Sequence, residues 1–214
     1  MFELGEPYTG PELQAALRDV QGAADAYLRQ LPPAMFFTPQ GTAWSLAEHA
    51  RHLRKSLQPL ARVLRWPRPV LRLLFGRHHG PSRDFAAIRR RYQTALAAGG
   101  QAGRFAPAPQ PTPSDLALGQ ARVLTALDQA VAAVQAAVAP RTEAALDRYQ
   151  LPHPLLDRLT AREMLAFSVY HHAHHLRRVA ERAGAGASSD APLTPNYRRQ
   201  PTGAKRGRAP MSNR

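Results

Sequence analysis

Thr160-Ala161-Arg162-Glu163-Met164-Leu165-Ala166-Phe167-Ser168-Val169-Tyr170-His171-His172-Ala173-His174-His175 is the stretch from which the rest of the chain can be read. Thr160 and Glu163 have the spacing of a capping box, in which a hydroxyl and a carboxylate satisfy amides that the first turn of a helix leaves open. The box predicts a helix over 160–183, stopped by Gly184-Ala185-Gly186. The same device occurs at Thr9-Gly10-Pro11-Glu12 and at Ser45-Leu46-Ala47-Glu48. Behind the first, Leu13, Ala16, Leu17, Val20, Ala24 and Leu28 recur at helical spacing up to Leu31-Pro32-Pro33. Behind the second, a helix carries His52, Leu53 and Leu57, with Pro59 expected to kink or interrupt it. A fourth long helix follows from Leu116, Val123, Leu127, Val131, Val134 and Val138.

The expected helices are therefore 9–31, 44–64, 113–139 and 160–183. Arg65-Trp66-Pro67-Arg68-Pro69 breaks the second, and 65–112 is a long crossover with short helices over 69–76 and 82–98. Its end, 101–113, carries Pro107, Pro109, Pro111 and Pro113 and reads as an extended linker. No run of alternating β-branched residues is present, so no sheet is expected. The fold class is all-α: a four-helix bundle with one long crossover. Residues 1–187 form the expected domain, and 188–214, rich in Pro, Gly, Ser and Arg, a disordered basic tail.

Composition narrows the functions. The 214 residues contain no cysteine, which excludes disulfides, thiolate metal sites and cysteine nucleophiles. No uncharged apolar window reaches the length of a membrane span, and the start, MFELGEPYTG, lacks the form of a signal peptide; a cytoplasmic protein is expected. The net charge is +14, yet only Lys55 and Lys205 are lysine among 29 basic residues. From Ser188 onward six basic residues stand against Asp190 alone, so much of the excess lies in the tail. Such charge attracts nucleic acid and anionic membranes without selectivity. Aromatic residues at 7%, with only Tyr197 in the tail, argue against a specific nucleic-acid partner. The basic apolar stretch 60–79, with Trp66 and Phe75, reads as a crossover packed on the bundle, its arginines reaching to water.

Nine histidines are present, and their placement is the informative part. Residues four apart stand on one helix face, so His171 and His175 can hold one ion together. In an arginine-rich helix the same pair also suits a solvated face. His172 points about 100° away and is expected at the surface, with His174 at the edge of the pair. His49 and His52, three apart in the second helix, could each bring a third imidazole. Three imidazoles with open positions form the geometry of a catalytic metal site. His78 and His79, beside Gly80-Pro81, are expected in solvent, and His153 is expected to order its loop. Glu48 is expected to cap its helix rather than act as a base, and Tyr170 to pack.

The segment from Gly41 to Leu53, with Trp44-Ser45 followed eight residues later by His52-Leu53, resembles a signature of the DinB-like family. His153 through Thr160, continuing to His171 and His175-Leu176, is similar to the closing signature of that family. The resemblance covers roughly residues 8–183 and implies an up-down-down-up bundle, often dimeric. It also implies a divalent metal, zinc or nickel, on His52, His171 and His175, leaving His49 as an outer or surface residue. Leu176-Arg177-Arg178 stands where some relatives carry an Arg-Gly-Gln type sequence, a departure from the thiol transferases among them. The expected function is a metal-dependent transferase or hydrolase acting on a small molecule, with any thiol arriving as a cosubstrate. The alternative is a non-catalytic module that binds nucleic acid or a membrane surface through its charge.

Overall fold

The computed structural model describes residues 4–39 and 41–185. The tail from Ser188 lies outside the described residues. Each of the four expected long helices is present: α1 (Gly10–Gln30), α3 (Leu46–Val63), α6 (Leu116–Val138) and α8 (Ala161–Ala185). The capping boxes at Thr9 and Ser45 form, with each hydroxyl accepting from the third helical amide and each glutamate reaching back. At the third, the Glu163 amide donates to Thr160 Oγ1 (3.2 Å) and the Thr160 amide to Glu163 Oε2 (2.8 Å).

Cross-links between the helices fix their directions. Gln14, Gln21 and Leu28 of α1 meet Gln135, Asp128 and Gln120 of α6 in that order, so these helices run antiparallel. His49 and His52 of α3 meet His175 and His171 of α8, again antiparallel. The Arg162 guanidinium at the start of α8 donates to the Tyr8 carbonyl just before α1, so α1 and α8 run parallel. The order is up-down-down-up, and the crossover between α3 and α6 returns the chain to the end from which α3 set out. Leu13, Leu17, Leu57, Leu124, Leu127 and Leu165 are fully enclosed at the centre. A leucine so buried stabilises a fold by about 1.5–3 kcal/mol.

The crossover and connections add α2 (Pro33–Phe37), α4 (Arg68–Phe75), α5 (Phe85–Ala97), a 3-10 turn at Gly103–Phe105 and α7 (Glu143–Leu146). Several of these depart from the expectation. Pro32-Pro33 stops α1 but also starts α2, because proline suits the first position of a helix, here Pro33, and α2 seats Phe36 in the core. Pro59 does not interrupt α3, which continues to Val63. It lies on an exposed face, where water can take the bond that its missing amide leaves open. A sheet does occur: β1 (Gln150–His153) pairs antiparallel with β2 (Asp157–Thr160), with Leu151 opposite Leu159. Both leucines are buried against the bundle, so tertiary burial rather than β propensity holds these four-residue strands. Asp157 adopts the left-handed conformation (φ 63°) that turns the hairpin. The stretch 60–79 packs on the bundle only in part. Leu71 of α4 is buried, whereas Leu73 is 85% and Leu74 53% exposed.

Arg162 ties the start of α8 to the rest. Its side chain is 4% exposed and donates in a fork to Asp147 (2.7 and 2.9 Å), to Glu143 Oε2 (2.7 Å) and to the Tyr8 carbonyl (2.8 Å). Its guanidinium also lies 4.7 Å from the Tyr8 ring centre. Ser82 Oγ donates to the same Asp147, and Arg83 clasps Glu163 through its amide, Nε and Nη2, which joins the crossover to the cluster. Replacing Arg162 by Ala leaves two carboxylates facing an emptied guanidinium site. Because Glu143 and Asp147 are part-exposed and can be hydrated, Arg162→Ala is expected to lose about 1–3 kcal/mol of unfolding free energy, read from urea denaturation midpoints. Arg162→Lys should not restore it, because a lysine cannot make the fork. A variant as stable as the native chain would show that the cluster does not anchor α8.

Candidate metal centre

The side chains of α8 between Ala161 and Ala173 are buried without interruption, because α1, α3, α5 and β2 cover the helix on all sides. Its His171, His172 and His175 are therefore buried. His52, His171 and His175 come together there, all buried, with one ring nitrogen of each within 4.8 Å of the others. His171 Nε2 lies 3.0 Å from His52 Nε2 and 3.1 Å from His175 Nε2.

The proton inventory of these rings explains what such a cluster can hold. His52 Nδ1 stands 2.9 Å from the Phe105 carbonyl, which can only accept, so the proton of His52 is on Nδ1. His52 Nε2 is then a bare lone pair aimed at the other two rings. Burial pushes the pKa of His52 down to about 4, against the pull of the Phe105 carbonyl and helped by the nearby Lys55 charge. Burial, then the neighbouring imidazoles, hold His171 and His175 well below the ordinary 6.5. All three rings are neutral near pH 7, the state in which imidazole binds metal. Ligands about 2.0–2.1 Å from a tetrahedral ion stand roughly 3.3 Å apart, close to the spacing found here. The donor set, neutral and buried, therefore fits a divalent ion.

Around the three rings the remaining histidines take separate places. His49 is buried, with Nδ1 2.8 Å from His175 Nδ1, and so backs that ring from behind rather than facing the cluster. Trp44 covers the group, with its ring 5.1 Å from His52 and stacked at 6.4 Å on His175. Glu48 Oε2 accepts from the Ser45 amide (2.8 Å) and hydroxyl (3.1 Å), which is its capping role. His172 was expected at the surface and is 1% exposed. Its Nδ1 lies 2.9 Å from the Ser168 carbonyl. The helical angle was sound, but the enclosed α8 has no solvent face at that level. His174, half-buried, takes a hydrogen bond from Arg178 Nε (3.2 Å) and stays out of the cluster. His153 accepts the amides of Leu155 and Leu156 and orders its loop as expected. The Tyr170 hydroxyl accepts from Gln93 (2.9 Å), a packing role, and His79 is exposed and His78 half-buried. The Phe105 carbonyl escaped the sequence reading, since a backbone oxygen carries no residue signal.

His52, His153, His172 and His174 all have pKa values lowered to about 4, chiefly by burial. Below 6.5 the unfolded chain takes up protons that the folded chain refuses, so stability falls as pH drops from 6.5 towards 4. Each group contributes at most about 1.4 kcal/mol per pH unit in that window. Asp147 and Glu163 act lower: burial raises them, but hydrogen bonds, from Arg162 and Ser82 to the first and from Arg83 to the second, leave both below their ordinary 3.8 and 4.5. The chelator-treated protein should therefore show a lower urea midpoint at pH 5 than at pH 7. Equal midpoints would contradict buried neutral imidazoles.

No significant match occurs among curated proteins. TT2238, a four-helix bundle protein with a known crystal structure, is 24% identical, with a TM-score of 0.50. The match covers 81% of this chain and 99% of that one, and at this identity it speaks for the fold alone. The pattern of the DinB superfamily matches residues 16–179, from α1 to the last turns of α8 and across the whole histidine cluster. The chain belongs to the DinB superfamily.

Proposed function

We propose that the protein is a metal-dependent transferase or hydrolase of small molecules, with His52, His171 and His175 holding a divalent ion, zinc or nickel. The observation that carries this reading is the convergence of three neutral, buried Nε2 atoms on one point. A divalent ion on three neutral ligands keeps its full charge and supplies an acidified water or thiol as the nucleophile. His52 is held in its ligating tautomer by the Phe105 carbonyl, and His175 is oriented by His49. Because the chain has no cysteine, a low-molecular-weight thiol would enter as a cosubstrate. The homodimer and the cytoplasmic setting expected from the sequence belong to the same proposal.

Elemental analysis of the purified, untagged protein should find about one zinc or nickel per chain. His52→Ala and His171→Ala should lose it while keeping the helical circular-dichroism signal. His174→Ala should retain it, and His49→Ala should weaken the affinity by about 10- to 100-fold. Stoichiometric metal in His171→Ala would overturn the ligand assignment.

A second reading, association with an anionic membrane surface, draws on one observation. Leu73 and Leu74 of α4 are exposed beside Arg68, Arg72 and Arg77, and no helix among the described residues is long and apolar enough to cross a membrane. On that reading the protein sediments with phosphatidylserine vesicles at low salt, and Leu73→Ser/Leu74→Ser abolishes it. If native and variant protein both stay in the supernatant, this reading fails.

A further inference from the structure

A cavity of about 300 Å³ opens on the histidine cluster, with His52 and His171 among its walls. That size lies at the lower end for small-molecule sites. The bundle supplies the floor, and the other walls come from outside it. Trp66 and Phe75 come from the crossover, Phe105 from the linker and Leu155 from the hairpin turn. Trp66 and Phe75 stack at 6.5 Å, and Phe167 of α8 stacks on His171 at 4.9 Å, so an aromatic surface runs from the outer wall to the imidazoles. The charged side chains of the lining are all of one sign. Arg62 and Arg104, both exposed, stand at the outer end, and among the described residues no aspartate or glutamate lines the cavity.

We propose, building on the metal-centre reading, that this cavity binds an anionic amphiphile: a carboxylate head at His52 and His171, with an elongated apolar body along the aromatic wall. The walls favour an apolar body, because Ser56, Gln101 and Ser168 are the minority of a lining in which a molecule polar along its length would face Trp66, Phe75, Phe105 and Phe167. The lining settles the sign of the head. A cationic head would meet imidazoles and arginines and no carboxylate. An anionic head has an electrophilic end to sit on and a cationic mouth to pass through.

Calorimetric titration of straight-chain carboxylates of about four to about twelve carbons, below their micellar concentrations, tests this on zinc-loaded and on chelator-treated protein. Affinity should rise up to about fourfold per methylene in both forms and level off once the cavity is filled. The zinc-loaded form should be tighter by a constant factor at every length. Ala102→Phe, which places a ring in the linker wall, should make the affinity level off at a shorter chain while zinc content stays native. Alkylamines of the same lengths should bind more weakly than the carboxylates. Affinity independent of chain length in zinc-loaded protein, or alkylamines binding as well as carboxylates, would overturn the inference while leaving the metal centre intact. Length dependence with no advantage from zinc would instead overturn the placement of the head at the metal, while loss of stoichiometric zinc from the loaded sample would overturn the metal reading on which it rests.

Discussion

Imidazoles that are shut away from water must find partners inside the protein, and this constraint organises the molecule. α8 is enclosed from Ala161 to Ala173, a length that carries His171 and His172, and His175 just beyond it is buried as well. A neutral imidazole has one donor and one acceptor, and leaving either unmatched in the interior costs about 1–3 kcal/mol. The surrounding elements supply most of the partners. α3 brings His49 and His52, the linker brings a carbonyl, and the preceding turn of α8 offers the Ser168 carbonyl to His172. Three ring nitrogens still remain pointed at each other, that of His52 a bare lone pair, and that residue of the constraint is what makes the place suitable for a cation.

The helices and the connections divide the work. The four long helices set the spacing of the imidazoles, and the network around Arg162 and Arg83 holds α8 at the height where those spacings hold. The crossover and hairpin lend Phe85, Ile88, Tyr92, Leu151 and Leu159 to the core, and with the linker they build much of the cavity wall above it. Chemistry and recognition therefore reside in different parts of the same chain. A shift of α4 or of the linker would reshape the cavity, whereas a shift of α8 would dissolve the centre.

Most of the frame was legible because capping boxes and helical periodicity are local signals. Thr9, Ser45 and Thr160 each mark a helix start that the structure keeps. His171 and His175 were legible for the same reason, since a spacing of four on a helix needs no knowledge of the rest. What was not legible depended on neighbours distant in sequence. His172 is buried only because its helix has no exposed side at that level. The hairpin exists because Leu151 and Leu159 find a wall to press on, and four residues are too few to show alternation. Arg162 looked like a middle residue of a capping box, and nothing local revealed that Asp147, Glu143 and Tyr8 would converge on it. The choice between His49 and His52 rests on resemblance to a family, and the structure sets His49 Nδ1 against His175 Nδ1 and His52 Nε2 against His171 Nε2.

The partner that fixes the tautomer of His52 is a main-chain oxygen, that of Phe105, and Lys55 is held by the next one, that of Ala106. Every amino acid carries such an oxygen. Side chains along this part of the linker can therefore be exchanged without touching the hydrogen bond that readies the imidazole, provided the turn at Gly103–Phe105 keeps its course. The same side chains form one wall of the cavity. Descendants of this sequence could acquire new ligands by ordinary substitution in the linker while the centre beneath stays chemically unchanged.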